Sequence, residues 1–383
     1  MQALEMRAIA DWLDAGLPGV RTPEAFVATL NQRLVAAGIP LARVAVFVRT
    51  LHPNVAGRAF FWRSEKPDEV DVDVAEHEWM QSEQHLTSPI HHITSTGQAI
   101  RRRLADPDCP MDFPVLADLR GEGMTDYLAT PLPSFTGEKL LASYTTRQPG
   151  GFNEAQMAAL MRVLPPVARI AEVMAWRRKA QNILETYLGR QAGDKVLSGQ
   201  IRRGDGEDIH AVIWFCDLRD STPLADAMSR GEFLRLLNEF FECVLGPVVE
   251  RDGEILRFIG DAALAIFPVG GDEGEACRRA LAAAKDAIQR MEALNAARER
   301  RLRFGIALHL GDVLYGNIGT PTRLEFTVIG AAANEAARIE ALCKVLNEPL
   351  LVSAPVARHL AGCRSLGTHE LRGVAESMEL FAL

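Results

Sequence analysis

AVIWFCDLRDST at positions 211–222 and GEILRFIGDAALAIFP at positions 253–268 decide how the second half of this chain folds. The first is an apolar run that ends in Asp217. The second is a pair of apolar runs around a tight Gly260-Asp261 turn, which reads as a hairpin of strands at 254–258 and 262–267. Strand ends hold charged groups well, because the sheet fixes the side chain while its tip meets water. Two carboxylates held this way can bind divalent ions about 3.5–4 Å apart, the arrangement used for in-line phosphoryl chemistry.

Strand and helix patterns alternate outward from this pair. Positions 212–216 read as a strand, 232–250 as a helix and 273–298 as another. Strands follow at 302–310, continuing at 313–316, and at 324–329. A helix at 332–344, a strand at 350–352, a short helix at 356–360 and two closing strands complete the pattern. Mixed strands with interleaved helices predict a sheet with helices packed against it. GGDEG at 270–274 sits between Phe267-Pro268 and a helical run. It reads as a loop with Asp272 or Glu273 at the helix start, where negative charge is favoured, and not as the hairpin signature of diguanylate cyclases.

The first half is organised differently. Helices are expected at 3–16 and 23–37, the second with Thr22 as cap and Pro23 in its first turn. ARVAVFVRT (42–50) and GRAFFWRSE (57–65) read as strands. Positions 66–125 read as polar and irregular, with a helix near 96–104. Strands at 126–134 and 139–147 lead to a helix from 154 toward 178, kinked at Pro165-Pro166. His85, His91 and His92 read as surface residues of the irregular stretch, Trp62 and Trp79 as core. Positions 170–198 continue as helix. Ile170, Val173, Trp176, Ile183, Leu184, Tyr187 and Leu188 form an apolar stripe suited to pairing with a second copy. GQIRRGDGED (199–208) reads as a polar hinge. The expected domains are 1–169, a helical linker at 170–204, and 205–383.

Bulk properties narrow the function. The chain has 383 residues, 48% apolar and 24% charged, enough for two or three domains. A net charge of −8 argues against a nucleic-acid partner. No apolar run is long enough for membrane insertion, and the acidic, amphipathic start does not resemble a signal peptide. Six scattered cysteines without a CxxC pair read as free thiols of a cytoplasmic protein.

Four segments in order carry a family resemblance: FCDLRDST (215–222), LRFIGDAALAIFP (256–268), GIALHLGDVLYGNIG (305–319) and FTVIGAAANEAARIE (326–340). Together they resemble class III nucleotidyl cyclases, the adenylyl/guanylyl cyclase family, over about 205–383. The resemblance implies an α+β chain whose C-terminal domain has the ferredoxin-like cyclase fold. It implies two Mg²⁺ or Mn²⁺ ions on Asp217 and Asp261, with Leu218 at the same strand end. Leu218 to Thr222, with Arg219, Ser221 and Thr222, match the turn that cradles the triphosphate. Asp220 and Ser221 stand where many members have Gly and Phe. Asn334 and Arg338, one helical turn apart, match the transition-state pair, and Arg372 a triphosphate contact that Arg323 also resembles. Arg257 and Thr327 occupy the purine-reading positions. Thr327 is of the adenine type, Arg257 replaces the usual Lys, and the Glu of guanylyl cyclases is absent there. Arg donates equally well to guanine O6 and N7. The expectation is an ATP-consuming homodimer making 3′,5′-cyclic AMP. A guanylyl cyclase and a catalytically silent ligand-binding module are the alternatives.

YLATPLPSFTGEKLLASYTTRQPGGFNEAQMAALMRVLPPVARIAEV (127–173) resembles the end of a GAF domain, with a strand pair, a turn and a long exit helix. This implies an N-terminal GAF-like sensor domain, with a PAS-like domain as alternative. Its signal, a small ligand or a protein, is not specified by the sequence.

Overall fold

A computed structural model describes residues 2–374 and 376–383. The chain divides into two units, Met1–Thr186 and Tyr187–Leu383. The division falls inside the apolar helix, earlier than the polar stretch at 199–208. That stretch is bonded to its own unit: Asn317 Nδ2 donates to the Gln200 carbonyl at 2.9 Å, and Gly204 N–H donates to the Asn317 carbonyl.

The first unit runs α1 (Gln2–Asp14), α2 (Pro23–Ala36), β1 (Arg43–Arg49), β2 (Gly57–Arg63), β3 (Lys66–Ala75), α3 (Glu83–Leu86), α4 (Pro89–Thr96), β4 (Ile100–Arg102), α5 (Pro114–Gly121), β5 (Asp126–Pro131), β6 (Leu141–Thr146) and α6 (Glu154–Leu188). Thr22 caps α2, accepting from Ala25 N–H. The six strands form one antiparallel sheet of order β3-β2-β1-β6-β5-β4. Alternation along each strand separates its two faces. Val44, Phe60, Trp62, Leu128 and Tyr144 pack on one face with the buried residues of α1, α2 and α6. Tyr127, Ala129 and Leu141 face the other way, toward Ile93, Phe113 and Leu116.

Positions 66–125 are therefore ordered. KPDEVDVDVA (66–75) is an edge strand whose Val70 and Val72 pack on the core while its acidic residues remain outside. Such charges suit an edge strand, where they deter further pairing. The helix expected near 96–104 is absent. Gly97, at φ 71°, ends α4, and 100–102 pairs with β5 instead. α6 runs through Pro165 and Pro166 to Leu188. Glu172, on α6, accepts from Ser134 Oγ and from the N–H groups of Phe135 and Thr136. These donors fix the β5–β6 connection to the helix.

The second unit runs α7 (Arg190–Leu197), β7 (Gly206–Leu218), α8 (Ser221–Asp226), α9 (Arg230–Glu250), β8 (Glu254–Ile259), β9 (Ala262–Pro268), α10 (Glu273–Ala296), β10 (Phe304–Thr320), β11 (Arg323–Ile329), α11 (Ala331–Leu346), β12 (Leu350–Ser353), α12 (Ala354–Ala357), β13 (Arg364–His369) and β14 (Met378–Ala382). Its sheet has the order β13-β14-β12-β10-β7-β9-β8, with β11 paired to β10. The strand expected at 302–310 and continuing at 313–316 is β10, which runs on to Thr320. Asp272 caps α10 by accepting from Glu275 N–H, so GGDEG is a helix entry. α9 and α10 cover one face through Phe240, Val244, Ala280 and Ala284. On the other face β11 and α11 bring Phe326, Val328 and Ala336 onto Ile213, Leu256 and Leu264.

One buried carboxylate ties three of these elements together. Glu254, at the start of β8, accepts from Ala192 N–H of α7 at 3.0 Å and from the Tyr315 hydroxyl of β10 at 2.8 Å. Burial raises its pKa above the ordinary carboxylate value. Tyr315→Phe removes one donor while keeping the ring. A lost bond to a buried charged acceptor costs about 1.5–3 kcal/mol. The β8 and β10 amides are then expected to exchange hydrogen roughly ten- to a hundredfold faster than in the wild-type chain.

Candidate active site

Asp217 ends β7, pairing with Gly305 of β10 on one side and Ala262 of β9 on the other. Its central position fixes the backbone on both flanks. Asp261 closes the β8–β9 turn behind Gly260, whose φ of 66° is a conformation that glycine adopts at no steric cost. Leu218 N–H donates to the Asp261 carbonyl at 3.3 Å, which sets the two strand ends side by side. Asp217 is partly buried. Its pKa is raised by that burial and by the negative charge of Asp261. The two strand ends thus hold the aspartates side by side, and the charge of Asp261 is felt at Asp217.

A third carboxylate stands behind the pair. Glu340 of α11 is 4% exposed. Burial pushes its pKa up to about 7, against the pull of Arg219 and with the push of Asp217 and Asp261. Arg219 Nη2 lies 2.5 Å from Glu340 Oε1 and donates to the Glu340 carbonyl at 2.9 Å, while Nη1 lies 3.6 Å from Asp217. The Arg219 side chain is thus paired inside the fold, with Glu340 and the edge of Asp217. It braces the carboxylates from behind. Gly305 makes room for this brace, since a Cβ there would fall on Arg219 Nη2 and Glu340 Oε1.

The turn after Asp217 is partly spent on the fold. Leu218 and Arg219 N–H donate to Asp261 and Arg303 carbonyls. Asp220 is left-handed, at φ 56° and ψ 32°. The same conformation accounts for Gly at this position in the family resemblance, and Asp is among the few other residues that tolerate it. The Asp220 carboxylate turns outward to Arg303 at 2.5 Å, which holds its pKa below the usual range. Ser221 and Thr222 open α8.

Asn334 and Arg338 lie on the exposed side of α11, four residues apart, and neither side chain is hydrogen-bonded or ion-paired among the described residues. Ala336, Ile339, Glu340 and Cys343 form the buried side of the same helix. Two residues along a helix are about 200° apart around it. Glu340 therefore faces Asp217 and Asp261 of its own chain while Arg338 faces solvent. Arg372, in the turn before β14, and Arg323, at the tip of the β10–β11 hairpin, are also exposed. None of these is brought to the carboxylates of its own chain by a contact among the described residues.

The two positions expected to read a purine, Arg257 and Thr327, lie on β8 and β11, which are close to each other. Glu325 and Thr327 alternate onto one face of β11, and Arg257 Nε of β8 lies 3.0 Å from Glu325 Oε1. The contact is an ion pair without a well-directed hydrogen bond. Thr327 is 3% exposed and its hydroxyl has no partner. Glu325 was legible as the residue two before Thr327 on the same strand face. Glu340 carried no such signal.

Residues 207–383 match the family of adenylate and guanylate cyclase catalytic domains. An adenylate cyclase of Anabaena cylindrica is 36% identical over 169 residues, 42% of this chain and 33% of that protein. An uncharacterized protein of Mycobacterium tuberculosis (strain ATCC 25618 / H37Rv) is 34% identical over 178 residues, 46% of this chain and 32% of that protein. The chain spans about a third of the length of these curated relatives. A solved structure of a bacterial light-regulated adenylyl cyclase covers 89% of this chain and 93% of its own. Its TM-score is 0.50 at 16% identity, a likeness of fold.

Arg219→Met leaves Glu340 buried without its cation. Breaking a buried pair costs about 3–5 kcal/mol. Because the folded-state pKa of Glu340 is raised, its charged form is the costly one. The loss, read from urea unfolding, is expected to be full at pH 8 and less than half of that at pH 5, where the carboxyl is neutral.

Proposed function

We propose, on the premise that residues 207–383 are a class III nucleotidyl cyclase catalytic domain, that this chain converts ATP to 3′,5′-cyclic AMP and pyrophosphate at a site shared by two copies. The observation that carries the shared site is the split of α11. The same helix presents Asn334 and Arg338 to solvent and Glu340 to the aspartates, so one chain holds two half-sites on different faces. A second copy in head-to-tail register supplies the missing half to each. The exposed Val173, Trp176, Ile183 and Tyr187 of α6 support pairing of two copies as well.

Asp217 and Asp261 fit hard divalent ions. They offer oxygen donors, and their mutual repulsion, felt in the raised pKa of Asp217, is what a cation relieves. Leu218 can take part only through its backbone, since its side chain is buried. When bound, Mg²⁺ or Mn²⁺ supplies Lewis acidity at the 3′-oxygen and neutralises the triphosphate. Residues 220–222 receive phosphate oxygens on their backbone N–H groups, and Arg372, with Arg323, adds positive charge. Asn334 orients the ribose. The 3′-oxygen then forms a bond to the α-phosphorus as the bond to pyrophosphate breaks in line. Arg338 stabilises the charge that grows on the α-phosphate oxygens. The 3′ proton leaves to solvent or substrate.

Adenine fits the base pocket through complementary groups. Arg257 donates to ring nitrogen N1, and the unpartnered Thr327 hydroxyl accepts from the 6-amino group. A second reading, GTP, draws support from Glu325. Its carboxylate beside Arg257 can accept the N1 and N2 protons of guanine. The N-terminal unit is proposed as a GAF-like sensor that regulates the cyclase through α6. The sheet order β3-β2-β1-β6-β5-β4, with the closing helix after β6, supports that reading.

The purified chain with Mg²⁺ or Mn²⁺ is expected to yield cyclic AMP from ATP. Exclusive cyclic GMP from GTP would establish the second reading, and no cyclic product with either nucleotide would remove both. Asp217→Ala and Arg338→Ala are each expected to be inactive alone. Mixed in equal amounts they should recover about a quarter of the wild-type rate, since half the dimers are mixed and each carries one intact site of two. No recovery on mixing would exclude the shared site.

A further inference from the structure

The second face of the N-terminal sheet bounds a cleft of about 1030 Å³, large enough for a small organic molecule. Strand alternation lays Arg43, Phe47 and Arg49 of β1 along one wall, with Ala59 and Phe61 of the neighbouring β2. The opposite wall is built by Trp79, His85 of α3 and His91 of α4. The cleft is thus aromatic and cationic at once.

Its basic groups lack ion-pair partners among the described residues. Arg43 is partly buried, its guanidinium 5.1 Å over the Phe61 ring, and its Nε has no hydrogen-bond partner. His85 is 97% buried, contrary to its expected surface position, and its Nδ1 is likewise unpartnered. The His85 ring lies 4.8 Å from Trp79 and 5.5 Å from His91. Among the described residues none of Arg43, Arg49, His85 and His91 forms an ion pair. The acidic lining residues Asp73, Glu76 and Asp118 are all exposed to water. Burial lowers the pKa of Arg43, with Arg63 adding to it. Burial, then His91 and Arg49, lower that of His85. A buried donor without an acceptor is costly and uncommon in a folded chain. Arg43 Nε–H and His85 Nδ1, the latter a donor in the tautomer that carries its proton there, line one aromatic cleft and mark a place where an acceptor belongs.

We infer that this cleft binds a small aromatic anion, with its acidic group on Arg43 and His85 and its ring system against Phe47, Phe61 and Trp79. The aromatic walls give area and orientation, while the buried donors select for negative charge. Binding stands on the cleft alone; that the ligand controls catalysis rests on the sensor reading of the N-terminal unit.

The test is calorimetric titration of the full chain with 1-naphthoate, 1-naphthyl phosphate and the neutral 1-naphthamide. At least one anion is expected to bind at one site per N-terminal unit, at least tenfold tighter than the amide. The tighter of the two identifies the acidic group as carboxylate or phosphate. Arg43→Met and His85→Phe are each expected to weaken the anion about tenfold and leave the amide within about twofold, with thermal melts confirming that the variants fold. Equal affinity for anion and amide, no binding of either anion, or unchanged anion affinity in a folded variant would overturn the inference. Cyclic nucleotide production with and without the bound anion separates the two readings. Binding without any change in rate removes the sensor role and keeps the site. Absence of binding removes the site and leaves the sensor role to another signal.

Discussion

The second unit depends on one largely covered guanidinium, that of Arg219. The negative charges of Asp217 and Asp261 both push Glu340 toward its neutral form, and that of Asp261 adds to burial in doing the same to Asp217. Such like charges repel more strongly in a partly buried setting than in water. Arg219 offsets that repulsion from the side away from solvent, through Glu340 and the edge of Asp217. The arrangement leaves the solvent side of the pair electron-rich and unneutralised, which is the condition for holding divalent ions. Gly305 is part of the same device, because any side chain there would occupy the space of the brace.

The sequence carried the front of this site and hid its back. An Asp at a strand end or in a Gly-Asp turn is ordinary by itself; Asp217 and Asp261 stood out only because four segments in order resemble one family. The same resemblance singled out Asn334 and Arg338, whose spacing puts them on one helix face. Glu340 was not legible, since a Glu in a helical run normally faces water. Its burial follows from the packing of α11 on β7 and β10, which no local pattern encodes. The place of Arg219 is hidden for the same reason: its chain position adjoins the turn after Asp217, but its guanidinium finds its partner 121 residues away. In the N-terminal unit, the valines of KPDEVDVDVA alternate, yet three aspartates and a glutamate outweighed them, as they do on many edge strands. His85 was taken for surface because its neighbours in sequence are polar, whereas its neighbours in space are rings.

The strand β8 joins the consequences of these placements. It begins at Glu254, tied to α7 and to Tyr315, carries Arg257 three residues later, and ends at the turn that holds Asp261. Arg257 in turn meets Glu325 on β11. A six-residue strand therefore links α7 with Arg257 and with the turn that holds Asp261. Displacing α7 must either move β8 with it or withdraw the Ala192 N–H from a buried carboxylate. The second costs a hydrogen bond to a group whose pKa is already raised by burial, so the first is the cheaper response. The end of α6 at Leu188 lies one residue before Gly189, whose φ of 86° turns the chain into α7.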